Sequence, residues 1–283
     1  MIRIILLLCL IPSLLLAQFD DTLSGAISGN SVELDAKTGA NLLDGSGGSI
    51  SDTENIGTWS DTSGSARHAT QASAGARPVF DADGFNGIGA VQGASGDGLE
   101  FSDKTISRNL SAFSLVYAIR YATKSGTQYL SMFQTNACGN RLGVYIGDDD
   151  KINVILQNAD GTDNSQYTNV TLSNATEYII VVTADLAAST LQIWVNGVSS
   201  YTVSLTGTAS TSNTNTCENP TLFQPDPYLS SVFVGRMAYF GLWQNQYLNS
   251  TNAGTMYTSL DSYLEVGAPA GGGSSRSMMG IGP

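Results

Sequence analysis

The chain has 283 residues, a formal net charge of −12 and a hydrophobic content of 42%, with only 13% charged residues. The hydrophobic content excludes a disordered protein, and the negative charge disfavours binding to nucleic-acid phosphates or to anionic lipid surfaces. The length is that of one large domain or two small ones.

Residues 1–17 have the features of a secretory signal peptide. A cationic start at Arg3 precedes an apolar run over residues 4–16, and the small Ala17 stands before a polar residue. The apolar run is shorter than the ~18–20 residues that span a bilayer as a helix, although an uncleaved membrane anchor is the alternative. We therefore predict a secreted or cell-surface protein with no membrane insertion after signal cleavage, whose folded domain covers residues 18–267.

Signal removal would leave two cysteines, Cys138 and Cys217, because Cys9 lies within the signal. Both stand in polar loops, with Thr three positions and Asn two positions before the cysteine. Exported proteins with an even number of cysteines commonly form disulfides. We predict a disulfide between Cys138 and Cys217, with two separate thiols as the alternative, and no zinc site because no histidine accompanies them.

The first part of the mature chain is rich in turn residues, and short apolar islands at residues 31–34, 78–80 and 99–101 predict short strands. From residue 113 onward, alternating β-forming residues predict longer strands. These cover residues 113–121, 129–134, 142–146, 151–157, 177–184, 191–195, 201–205 and 232–243. Residues 147–150 predict a hairpin turn, and Asn196-Gly197 predicts a type I′ turn. The pattern indicates antiparallel sheets in a sandwich or barrel.

One helix is predicted near the C-terminus, with Ser250 or Thr251 as its N-cap and Gly267 at its end. Its apolar face comprises Met256, Leu260, Tyr263 and Leu264. Beyond it, residues 268–283 are rich in Gly and Ser and cannot bury enough apolar surface to fold alone. We predict that they form a flexible tail that could tether the domain.

Several stretches resemble the laminin-G-like domains, of bacterial or viral type, of the concanavalin A-like superfamily. Residues 59–64 (WSDTSG) precede an A-T-Q stretch at residues 69–71 and an N-G-x-x-A-V stretch at residues 86–91. Residues 191–197 (LQIWVNG) resemble the family's penultimate hairpin, and residues 235–243 resemble its closing strand. The resemblance implies an all-β, two-sheet antiparallel jelly-roll sandwich with one short C-terminal helix. Because the superfamily includes lectins, glucanases, pentraxins and adhesion modules, the function has to be argued from a site.

The sequence lacks the residue patterns that are typical of hydrolases. A glycoside hydrolase needs two positioned carboxylates, yet the six glutamates are far apart, and no predicted strand carries two acids at the spacing of two that shares a face. The single histidine, His68, has no accompanying nucleophile motif, and Asp61 is assigned to hydrogen bonding within its own loop. We predict a protein that is not an enzyme; a glycoside hydrolase is the second alternative, because carboxylates distant in sequence can meet in space.

Acidic loops supply candidate calcium ligands, since calcium takes six to eight hard oxygens from flexible loops. The candidate ligands are Asp148 and Asp150 in the hairpin turn together with Asp160 and Asp163 in the following loop. Many members of the superfamily that the chain resembles bind calcium. We predict no cofactor other than calcium. The alternative is that these aspartates are ordinary turn residues.

Tyrosines predicted to lie in loops, Tyr167 and Tyr228, offer rings to a sugar, and the predicted ligand-binding residues are these two with Asp148, Asp149 and Asp150. Trp194 and Trp243 are predicted to be core residues, given the area that a buried aromatic contributes. The predicted function is an extracellular carbohydrate-binding or adhesive module whose partners are glycans or cell-surface polysaccharide. The first alternative is a structural surface component, a virion, filament or envelope building block that self-associates.

Overall fold

The computed structural model describes residues 32–122, 126–134, 141–157, 164–206, 219–224 and 231–264. Within these ranges, seventeen strands follow one another along the chain: β1 (Val32–Asp35), β2 (Leu42–Leu43), β3 (Thr58–Trp59), β4 (Ala69–Thr70), β5 (Val79–Phe85), β6 (Ile88–Gly93), β7 (Leu99–Phe101), β8 (Ala112–Tyr121), β9 (Gln128–Gln134), β10 (Arg141–Ile146), β11 (Lys151–Gln157), β12 (Gln166–Thr171), β13 (Thr176–Asp185), β14 (Thr190–Val195), β15 (Val198–Ser204), β16 (Thr221–Leu222) and β17 (Gly235–Gln244). One 3-10 helix (Ala74–Ala76) precedes β5, and one α-helix, α1 (Ser250–Tyr263), follows β17.

The strands form two sheets, and every pairing between them is antiparallel. The eight-stranded sheet has the order β15-β14-β13-β8-β17-β6-β5, with β1 paired to β17, and the nine-stranded sheet has the order β12-β11-β10-β9-β16-β7-β4-β3-β2. The predicted fold class, an all-β two-sheet sandwich with a single helix, is confirmed.

The main core lies between the two sheets. Tyr117 of β8, Phe133 of β9 and Phe240 of β17 pack in its centre, with ring centroids of Tyr117 and Phe133 lying 5.5 and 6.2 Å from that of Phe240. Nine of the ten residues of β8 are buried. Because alternate residues of a strand point to opposite faces, a strand buried throughout must be covered on both sides.

Helix α1 supplies the second cover, since it packs on the outer face of the eight-stranded sheet. Its buried residues Ala253, Met256 and Leu260 join a cluster that contains both Trp194 and Trp243. The prediction that these two tryptophans are core residues is therefore confirmed.

The helix begins differently from the prediction. Asn249, and not Ser250 or Thr251, is its N-cap, because the Asn249 side chain accepts a hydrogen bond from the Asn252 amide. Asn and Ser are equally good caps, so residue type alone does not distinguish Asn249 from Ser250. The helix ends at Tyr263, and Gly267 lies outside the described residues.

The predicted hairpin at Asn196-Gly197 is present, and both residues have positive φ, +50° and +73°. The strand predicted at residues 201–205 starts earlier, at Val198, because a two-residue turn leaves no room for a longer loop. Strand β12 was not predicted at all, and it carries Tyr167, which is therefore a strand residue and not a loop residue.

No helix in the described ranges has both the length and the apolar character needed to cross a membrane. The predicted signal at residues 1–17, both predicted disulfide cysteines, Asp160, Asp163, Tyr228 and the tail at residues 268–283 lie outside the described residues.

Candidate functional site

The outer face of the nine-stranded sheet carries a row of aromatic and amide side chains. Tyr129 on β9 is in register with Tyr145 on β10, Tyr145 with Asn153 on β11, and Asn153 with Tyr167 on β12. The residues between them along each strand, such as Val144 and Val154, point into the main core. The row crosses four adjacent strands and so spans three strand spacings, about 14 Å. We call this surface the tyrosine face and define it by Tyr129, Tyr145, Asn153 and Tyr167.

Exposure increases along the row toward the sheet edge. Tyr129 is 8% exposed and belongs to a small buried cluster with Met132 and Ile155, against which the half-buried Tyr145 packs. The Tyr129 and Tyr145 rings lie 5.1 Å apart at 33°. Tyr167, at the edge, is 54% exposed, one of only two large apolar side chains exposed in the described ranges. The row therefore ends in the accessible ring of Tyr167, and its inner end is packed in the buried cluster around Tyr129.

Two side chains contact the Tyr167 ring. Its ring stacks on Tyr201 of β15 at 6.4 Å and 17°, and the Lys151 ammonium lies 5.4 Å from its ring centre. The Tyr201 hydroxyl donates a hydrogen bond of 2.9 Å to Gln166, so the two sheets are joined beside the ring. A ring fixed by neighbours loses little conformational entropy when a ligand packs on it.

The hairpin aspartates face different partners. Asp149 forms an ion pair with Lys151 at 3.2 Å. Burial opposes ionisation of Asp149, but its hydrogen bonds and charge interaction with Lys151 prevail and lower its pKa. Asp150 accepts a 2.6 Å hydrogen bond from the Tyr121 hydroxyl, while Asp148 lies 3.4 Å from the Thr127 hydroxyl. The structure therefore brings Asp149 to Tyr167 through Lys151, whereas Asp148 and Asp150 contact other residues.

Metal ligands are not grouped in the part of the chain that the structure describes, where no three histidine, cysteine or acidic side chains are arranged to hold an ion. Two of the four predicted calcium ligands, Asp160 and Asp163, fall outside those ranges. The calcium site stays a prediction.

Asp61 hydrogen-bonds within its own loop, as predicted, and His68 joins the same network. Asp61 accepts hydrogen bonds of 2.9 Å from the amides of Glu33, Ser63 and Arg67. The His68 Nδ1 accepts a 3.0 Å bond from the Asp61 amide. These contacts occupy both side chains in structural roles.

A shallow, open cavity of about 380 Å³ lies elsewhere, lined by Asp44, Glu54, Arg77 and small polar neighbours. Its charged groups bind their own loops. Asp44 accepts 2.7 Å bonds from two amides of its turn, Glu54 accepts one from Ser51, and Arg77 donates to two backbone carbonyls. The cavity has no aromatic lining, so the tyrosine face is the stronger candidate site.

The predicted site residues that the structure describes thus divide. Tyr167 belongs to the tyrosine face, and Asp149 pairs with Lys151 beside it. Asp150 accepts a hydrogen bond from Tyr121, and Asp148 lies near Thr127. Sequence reasoning missed Tyr145, Asn153, Tyr129 and Lys151, although Tyr145 and Asn153 do alternate with the apolar residues of their predicted strands. That alternation marks them as outward-facing, but no local pattern shows which strands are neighbours.

The fold and this face define an all-β jelly-roll sandwich with one outer face covered by a helix and the other carrying an aromatic row. No protein-family model matches the chain, and no curated protein matches it. Solved structures do match it. The binding domain of Paraclostridial Mosquitocidal Protein 1 superposes with a TM-score of 0.58 at 15% identity, covering 83% of this chain and 52% of that one.

The binding domain of botulinum neurotoxin serotype G has a TM-score of 0.57 at 12% identity, covering 82% of this chain and 51% of that one. The chain therefore spans about half the length of these two toxin domains. The CBM40 module of a Ruminococcus gnavus IT-sialidase, solved with alpha2,3 sialyllactose, has a TM-score of 0.52 at 15% identity and covers 59% of this chain and 95% of that one. At these identities the likeness establishes the fold alone.

Proposed function

We propose that the protein is an extracellular, non-catalytic module that binds glycans on the tyrosine face. The observation that carries the proposal is the register of Tyr129, Tyr145, Asn153 and Tyr167 across four strands, with Tyr167 exposed at the end. A row built on paired strands presents its groups in fixed positions, which is what recognition of a repeating ligand requires.

The chemistry of the row suits sugars. An aromatic face carries partial negative charge, so the C–H groups of a sugar ring pack on it favourably. The Asn153 amide and the Asp149 carboxylate and Lys151 ammonium beside Tyr167 can exchange hydrogen bonds with hydroxyl groups. A shallow site of this kind should bind near the millimolar end of the affinity scale, at roughly −4 kcal/mol, and useful adhesion would need several copies displayed together.

The structural neighbours support binding over catalysis. Two are binding domains of toxins, and the third is a carbohydrate-binding module that holds a sialylated trisaccharide. Kinship with the laminin-G-like domains, which the sequence motifs suggest, fits the same two-sheet fold and remains part of the proposal.

The test is a glycan array with a multimerised form of the protein, followed by NMR titration of the best ligand. Tyr167→Ala should weaken binding about fivefold or more, because losing an aromatic contact costs roughly 1 kcal/mol. Tyr167→Phe keeps the ring and should stay within about twofold of the wild type. Thermal unfolding of both variants checks that the fold is intact.

A blank array, or equal binding by the wild type and Tyr167→Ala, would overturn the proposal and put the structural surface component ahead. Calcium is kept as a proposed assisting ion at the acidic hairpin and the loop after β11. Calorimetric titration of calcium into the protein tests this part, and an absence of heat together with unchanged glycan binding removes calcium from the proposal.

A further inference from the structure

Arg141 lies on the same face as the tyrosine row. It begins β10, in register with Gln157, and alternation along β10 points Arg141, Gly143 and Tyr145 to the outer side. Between Arg141 and the tyrosines lies an apolar floor, since Met132 packs over Gly143, where an added Cβ would approach the Met132 sulfur to 2.8 Å. Arg141 itself is half-buried.

The Arg141 charge has no partner within the described ranges. Its Nε is buried without a hydrogen-bond acceptor, and it forms no ion pair there. Other arginines do form such pairs: Arg67 with Asp103, Arg120 with Glu177 and Arg236 with Asp81. Arg77 and Arg108 also form no ion pair within the described ranges; Arg77 instead donates to two backbone carbonyls, and the Arg108 Nε is buried without an acceptor, as that of Arg141 is. What distinguishes Arg141 is that it lies beside the tyrosine row.

The same charge acts on the tyrosine row. Burial raises the pKa of the Tyr129 hydroxyl, and the positive charge of Arg141 partly lowers it again. The guanidinium is therefore within electrostatic reach of Tyr129, whose ring packs against Tyr145 at 5.1 Å. Arg141 and the tyrosine row thus form one surface.

We propose that the tyrosine face prefers acidic glycans, with the Arg141 guanidinium binding the carboxylate of a sugar acid while the sugar rings pack along the tyrosines. This inference rests on the proposed glycan-binding function. Guanidinium presents donors in a planar fork that matches a carboxylate. The net negative charge of the protein does not prevent this, since charges separated by more than about 8 Å are largely screened in physiological salt.

The experiment compares each acidic glycan with the same glycan as its carboxyl methyl ester, so that only the charge differs. The probes are alpha2,3-sialyllactose and oligogalacturonic acid, titrated by NMR at low and physiological salt. The wild type should bind the free acids about tenfold more tightly than the esters, as a charge-assisted pair predicts. Added salt should reduce the preference.

Arg141→Gln should bind the acid and the ester with equal affinity. Arg141→Lys keeps the positive charge but not the planar pair of donors, so its preference for the acid should lie between those of the wild type and Arg141→Gln. Arg120 is the control, because it lies on the eight-stranded sheet and already forms an ion pair with Glu177. Arg120→Gln should keep the full preference for the acids over the esters. Equal binding of acid and ester by the wild type, or a preference that survives Arg141→Gln, overturns this inference and leaves the glycan-binding proposal standing. Failure to bind any acid or ester here, together with a blank array, overturns the glycan-binding proposal itself.

Discussion

Asp61 holds three backbone amides with one carboxylate. Its Oδ1 accepts from Glu33 and Ser63 and its Oδ2 from Arg67, so it ties β1 to the loop after β3. The side chain is only 9% exposed. Removing it would leave buried N–H groups without acceptors, and each such group costs about 1–3 kcal/mol.

We therefore expect Asp61→Ala to destabilise the domain by roughly 3 kcal/mol, within the range for a lost network of buried bonds. Asp61→Asn keeps one oxygen acceptor and should lose less. Urea unfolding followed by tryptophan fluorescence measures both, and Trp59 provides a buried reporter close to the site. Equal stability of the wild type and the alanine variant would contradict the assigned role.

At the scale of single elements, helix α1 is held at both ends. Asn249 caps the start, accepting a 3.0 Å bond from the Asn252 amide. At the other end the Tyr263 hydroxyl donates a 2.5 Å bond to Asp35, and the Lys37 ammonium donates to the Tyr263 carbonyl. The helix is thus tied to the last residue of β1 and to the segment that follows it, as well as to the sheet beneath it.

Asn249→Ala should lower the free energy of unfolding by about 1 kcal/mol, the usual effect of losing an N-cap. Asn249→Ser and Asn249→Asp restore a capping oxygen and should recover most of the loss. The midpoint of urea unfolding distinguishes them. If serine and alanine were equally destabilising, the capping bond would not be the cause.

Strands could be predicted from the sequence where a single segment is rich in β-forming residues or ends in a turn dipeptide. The ten-residue strands β8 and β13 are rich in β-forming residues. The Asn196-Gly197 dipeptide predicts its turn because both residues tolerate positive φ. Strand β12 has the sequence QYTNVT, with mostly polar residues and only one fully buried position. An edge strand of this kind has no apolar alternation to detect, so it could not be predicted.

The candidate site was harder to predict than the strands that build it. Tyr167 was chosen for its ring, yet its setting depends on Asn153 and Lys151 of β11 and on Tyr201 of β15. The Tyr201 contact comes from the other sheet, and no periodicity in a single strand reports on it. Arg141 is distinguished by its position beside the tyrosine row together with its lack of an acidic partner in the described ranges, and neither property can be predicted from the sequence.

At the scale of the whole molecule, the two outer faces of the sandwich have different roles. Helix α1 covers the eight-stranded sheet and completes a second apolar layer. On the nine-stranded sheet, strands β9 to β12 present tyrosine, asparagine and cationic side chains on the outside. The covered face stabilises the fold, and the tyrosine face is the surface that we propose for recognition.

The predicted disulfide concerns the whole molecule because it would link distant parts of the chain. Strand β9 ends at Gln134, four residues before Cys138, and β16 begins at Thr221, four residues after Cys217. The two strands are antiparallel neighbours, with Thr221 in register with Met132. The chain therefore leaves β9 and enters β16 at the same end of the sheet, so equal short segments can reach one another.

We expect a disulfide between Cys138 and Cys217. It would close a loop of about 80 residues, and the chain-entropy model assigns such a bridge about 4 kcal/mol of stability. Neither thiol should be alkylated in the folded, unreduced protein, and its mass should be lower by two hydrogens than after reduction. Cys138→Ser, Cys217→Ser and the double variant should be destabilised equally, since either substitution removes the whole bridge. Two alkylatable thiols in the unreduced protein would contradict the disulfide, and the sheet around β9 and β16 would then be held by packing and hydrogen bonds alone.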